Sequence, residues 1–168
     1  MSGVKVRADN AASVLAGLDR LSKMDVLVGI PESNAVREDG EELNNAEIGY
    51  LQSTGATVRL GGREVTLPPR PFLDIGIEDT QAVTSEHLKA AAGMALDGQF
   101  SAAENELEKA GLVASNGAKR VITDGDRLIP ISDMTKANRR AQGLPGDKPL
   151  YAHGYLLRSI TYVVRGKK

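Results

Sequence analysis

The 168-residue chain has no cysteine and no tryptophan, only two histidines, and an aromatic content of 4%. Each shortage removes a chemistry. Without cysteine there are no disulfides, Cys-ligated zinc sites, iron–sulfur clusters or thiol nucleophiles. With so few rings the core must rest on Leu, Ile, Val and Ala, and single-stranded nucleic acid lacks the stacking platforms it needs. No run of about 18 apolar residues occurs, and "MSGVKVRADNAASVL" has no apolar signal region, so a soluble protein made in the cytoplasm and without membrane contact is expected.

Catalytic patterns are equally scarce. His87, in "TSEHLKA", has no partner about four residues away of the kind HExxH supplies, and reads as a surface or half-buried helix residue. His153, in "YAHGY", suits a general base, and a small hydrolase is one reading. Yet no GxSxG is present and Ser159 has no evident orienting acid, so a loop histidine is the simpler account. Glu38, Asp39, Glu41 and Glu42 lack the alternating spacing of a calcium loop and read as solvated charge. The glycines of "RLGGRE" stand between strands rather than ahead of a helix, and neither phosphate-binding fingerprint is found. Nothing supports an enzyme, a metal or a cofactor.

What is present is a length suited to one domain over 1–168, with apolar residues at 41% and charged residues at 26%. The net charge of −1 hides a division. Residues 1–116 hold 10 Lys/Arg against 18 Asp/Glu, and residues 117–168 hold 11 against 4. A basic C-terminal half invites a nucleic-acid reading. Head-to-tail contact between identical subunits explains a bipolar chain as well.

Periodicity predicts a helix over Asn10–Lys23 capped by Asn10, a short apolar strand at "DVLVGIP", an exposed acidic loop over Glu32–Glu42, and a second helix over Leu43–Ser53. "TVRLGGREVTL" reads as a hairpin turning at Gly61-Gly62, either a free arm at 56–68 or part of a packed sheet. "PPRPFLD" is extended, because its prolines bar a helix. A long helix is predicted from about Glu78 to a break at Gly98. A second begins at a capping box, Ser101–Glu104, and runs past Val121 with small residues on its inner face. Ser132–Ala141 forms a short helix. The alternation from Leu156 to Val164 predicts a final strand tied into the sheet, entered by a loop in which Gly154 takes a positive φ. The fold class is α+β: a central antiparallel or mixed sheet packed against two or more helices, with a protruding hairpin or loop arm.

The order of these segments resembles one family. "AEIGYLQSTG", a hairpin, "PPRPFL", paired helices and "KPLYAHGYLLRSITYVV" together are similar to the tail-completion or neck proteins of tailed bacteriophages, also called virion morphogenesis proteins, over roughly residues 43–164. The matching residues are Pro69, Arg70, Pro71, Phe72 and Leu73, then Pro149, Leu150, Gly154, Leu156, Ser159 and Ile160; His153 stands where the family commonly has Thr. The resemblance implies a non-enzymatic virion protein at the head–tail junction. It would form a homo-oligomeric, typically six-fold ring that meets the tail tube and the head–tail connector, with DNA passing through the lumen without sequence-specific binding. Candidate interface residues are Arg59 and Arg63 on the hairpin, Arg70 and Phe72 after it, and Arg139, Arg140, Lys148, His153, Gly154 and Arg158 around the C-terminal loop. A nucleic-acid-binding phage accessory protein is the alternative.

Overall fold

The computed structural model describes residues 11–37, 42–144 and 146–166, with Leu60 and Arg63 described by their backbone alone. Among them the chain adopts the expected α+β class, with two separate antiparallel strand pairs, one of them packed against a long helix.

Helix α1 (Ala11–Ser22) leads within one residue into strand β1 (Met24–Gly29). The expected cap, Asn10, lies outside the described residues. The acidic stretch is not loop throughout: Glu32–Ala35 makes one short helix, α2, while residues 38–41 lie outside the described residues. Helix α3 (Asn45–Thr54) begins with a reciprocal cap. The Asn44 side chain accepts from the backbone of Ala46 (2.9 Å) and Glu47 (3.0 Å), and the Glu47 carboxylate accepts from the Asn44 backbone (2.8 Å). Three otherwise orphaned backbone donors are thereby satisfied.

Helices α4 (Phe72–Leu96) and α5 (Phe100–Asp124) have 25 residues each, a rod of about 37 Å. They are antiparallel and carry the most extensive packing in the chain. Helix α4 starts six residues before the expected Glu78. Pro71 is its N-cap, where a missing N–H does no harm, and its carbonyl accepts the first helical bond from Ile75 at 3.0 Å. The capping box expected at Ser101–Glu104 does not form; α5 begins one residue earlier, after Gln99, with no side-chain cap. Phe100 is drawn into the first turn because its ring packs on Gly17 of α1.

Small residues let the two rods touch. A Cβ on Gly76 would overlap the Ala118 backbone, and one on Gly117 would overlap the Gly76 carbonyl. On one side of this crossing lies a core of Phe72, Ala118, Val121, Ile122, Leu128, Leu156 and Ile160. Towards the other end Ala91, Ala95, Ala103 and Leu107 are covered by Leu21, Met24, Val26 and Val164. Helix α6 (Asp133–Ala141) follows, with Ser132 capping the Thr135 backbone at 3.2 Å.

The C-terminal reading needs correction. Leu156 does not open a strand: Tyr155–Ser159 is a short helix, α7, and the strand β4 is Thr161–Gly166. Leu156, Ser159 and Ile160 are buried at i, i+3 and i+4. Over so few residues that spacing coexists with the period-two alternation, and burial of the helical set decides. Gly154 does have the positive φ expected, +75°.

Of the antiparallel or mixed arrangements expected, the sheet is antiparallel, with two strands. β1 pairs with β4 from Met24↔Gly166 to Gly29↔Thr161, and this two-stranded ribbon lies on α5. Strands β2 (Ala56–Leu60) and β3 (Arg63–Leu67) form their own hairpin in plain two-residue register, with Gly61 and Gly62 at φ +56° and +78°. Among the described residues that hairpin packs extensively on no other element.

Candidate functional site

The loop between α6 and α7 is drawn together by cations that bond backbone oxygens. An Arg139 amino group donates to the carbonyls of Lys148 (2.8 Å), Tyr151 (3.3 Å) and Gly146 (3.5 Å). The Lys148 ammonium donates to the Thr123 carbonyl, and Arg140 faces Asp147 at 3.9 Å. Arg158 donates to the His153 carbonyl at 3.2 Å and lies over the Tyr155 ring at 5.2 Å. His153 is stacked on the same ring, and Arg37 approaches it at 5.7 Å. The result is a fixed knob, Tyr155 with its cationic neighbours, on a small open cleft of about 150 Å³. Gly154 turns the chain between the knob and α7.

Arg70 belongs to the interior. It is 5% exposed and joins three segments: Nε to the Ile129 carbonyl (2.7 Å), and its amino groups to Gln52 Oε1 (2.9 Å) and the Pro130 carbonyl (3.2 Å). Burial, and then the nearby Arg139 charge, lower its pKa from the ordinary guanidinium value. Burial lowers that of Arg139 too, with Asp147 opposing. Phe72 is fully buried. These two residues therefore build the platform and present no surface of their own. Arg59 does face solvent, on the hairpin, where it pairs with Glu64 at 3.5 Å. The Arg63 side chain lies outside the described set. The candidate residues thus gather at two places, the hairpin and the knob, with Arg70 and Phe72 as internal supports.

Sequence reasoning missed Tyr155 as the centre of the knob, since only the loop's folding brings His153, Arg158 and Arg37 to it. It also missed the partner of His87. Nδ1 of His87 lies 2.6 Å from Glu106 Oε2, and Lys109 donates to Glu106 Oε1 at 2.5 Å. Hydrogen bonds from Lys109 and then His87 hold the Glu106 carboxyl below the usual carboxylate range. This cluster ties α4 to α5.

A third feature is the outward face of the ribbon. Met24, Val26 and Val164 turn inward, leaving Leu27 and Val163 opposite each other on the outer side, 42% and 38% exposed. With Gly29, Ile30, Pro31 and Glu32 they line an open groove of about 440 Å³. Uninterrupted apolar character in "DVLVGIP" gives no hint of which face is covered. No group of three metal-binding side chains, and no helix long and apolar enough to cross a membrane, occurs among the described residues. No family model, curated protein or solved structure matches the chain.

Proposed function

We propose that this chain is a structural protein of a tailed-phage virion, one subunit of a ring at the head–tail junction that completes the tail and joins it to the head connector. The observation that carries the reading is the hairpin β2–β3, on which no other described element of the chain packs extensively. A two-stranded hairpin is marginal alone, so such an arm is best explained by a neighbour. The motif order of the sequence supports the family, and the division of charge between the two halves suits head-to-tail contact of different surfaces, which closes into rings. Arg139, Lys148 and Arg158 bond backbone carbonyls of their own chain, which weakens the case for a nucleic-acid interface.

The test is electron microscopy of lysate from a phage lacking the gene. Filled heads beside detached tails are the expected result, and overlong or ragged tails would make the protein specifically a tail terminator. Intact infectious particles would overturn the reading.

A further inference from the structure

We infer that the two uncovered strand pairs are the two halves of one contact between copies of this chain: the hairpin of one copy lies, apolar face down, in the groove on the next copy's β1–β4 ribbon. The inference rests on the ring reading and deepens it, because it names both the segment that reaches out and the surface that receives it.

The hairpin is amphipathic by strand alternation. Register puts Ala56 opposite Leu67 and Val58 opposite Val65 on one face, while Thr57, Arg59, Glu64 and Thr66 share the other. The polar face is internally satisfied, with Thr57 and Thr66 hydroxyls 3.5 Å apart beside the Arg59–Glu64 pair. The apolar face is only partly covered: Ala56, Val58 and Leu67 are half-buried and Val65 is 37% exposed, with no element packed extensively on them. An element of this kind gains stability only when its apolar side meets another surface.

The ribbon groove has the matching character. Leu27 and Val163 form its apolar floor, and Gly29, beside which a Cβ would meet nothing within 4 Å, leaves it open. Six-residue strands in the ribbon and five-residue strands in the hairpin give similar lengths, roughly 17–20 Å, so one sheet covers the other as in a two-layer sandwich. Charge agrees. The hairpin carries Arg59, Arg63 and Glu64, one positive overall; the groove is lined by Glu32 and Arg165, and register adds Asp25 on the ribbon face beside it, so groove and adjoining face together are one negative. The two surfaces make no extensive contact within one chain. Two different patches meeting head to tail generate a closed ring when the rotation permits.

The absence of cysteine makes the test direct. Val65→Cys and Val163→Cys variants are purified separately, mixed, and treated with a bismaleimide spanning about 10 Å, the separation of packed sheets. The expected result is a cross-linked dimer in the mixture and in neither variant alone. Leu27→Asp and Val65→Asp, both at exposed positions, are expected to keep the circular dichroism of the parent and to weaken self-association at least tenfold by light scattering. The inference is overturned by oligomers that show no 65–163 cross-link, by a chain still monomeric at about 1 mM, or by a double variant that closes within a single chain. None of these outcomes changes the particles seen in a lysate lacking the gene, so loss of the arm contact and loss of the neck reading remain separate results.

Discussion

At the scale of single residues, the chain concentrates its large buried volume in few places. Phe72 is one of two phenylalanines and is fully buried among Ile122, Leu156 and Ile160. Its neighbours Ala118, Val121, Ile122, Leu128, Leu156 and Ile160 sit on separate elements that are fixed by their own packing, so a void left by the ring closes only in part. Phe72→Ala should therefore reduce the free energy of unfolding by about 3–5 kcal/mol in urea titration, and a change below about 1 kcal/mol would contradict the packing described. Glu106 makes a different residue-scale prediction. Because Lys109 and His87 hold its carboxyl below the usual range, the folded chain keeps it charged to lower pH than the unfolded chain does. Its contribution is present above the ordinary Glu value of about 4.3 and is lost as pH falls through the lowered one. Glu106→Gln should flatten the acid limb of the stability–pH curve between about pH 4.3 and that lower value; an unchanged limb would mean the cluster is not coupled to folding.

At the scale of elements, the helical pair α4–α5 sets opposite expectations for chemically identical changes. Gly76→Ala places a methyl on the Ala118 backbone, which cannot yield as a side chain would, whereas a Cβ on Gly93 in the same helix meets nothing within 4 Å. Removing a helical glycine is worth up to about 1 kcal/mol, and overpacking costs about 1–3 kcal/mol. Gly93→Ala should thus raise the midpoint of thermal unfolding and Gly76→Ala lower it. Two changes of the same sign would show that the crossing is looser than drawn. The long helices and the glycine hairpin were legible in sequence because their signals extend over many residues or depend on a single turn. Legibility failed at element ends. Prolines in "PPRPFLD" concealed that Pro71 can cap a helix beginning at Phe72, and the short run from Tyr155 to Ser159 fits strand and helix periodicities alike. The capping box was expected at Ser101–Glu104 and found at Asn44–Glu47, because packing of Phe100 on Gly17, not capping chemistry, fixes where α5 starts. The knob at Tyr155 was half legible: His153 and Arg158 are neighbours in sequence, but Arg37 arrives from over a hundred residues away.

At the scale of the molecule, the packed body and the hairpin are separate parts, and the proposed assembly draws on the hairpin. The ribbon, α5 and the two cores form one packed body, since β1, near the start of the described residues, and β4, near their end, rest on the same helix. The hairpin stands outside this body, joined at Ala56 and Leu67, which are paired with each other across its base. Paired residues in an antiparallel sheet sit about 5 Å apart, so a two-glycine bridge from Gly55 to Pro68 can replace residues 56–67 without stretching the chain. If the arm exists to reach a neighbour, excising it should leave the thermal midpoint of the remaining body within a few degrees of the parent, the change expected for under about 1 kcal/mol, while abolishing assembly into particles. A large fall in the midpoint would instead make the hairpin part of the fold's own support. Preserved stability with preserved assembly would leave the arm without the role proposed for its partly exposed apolar face.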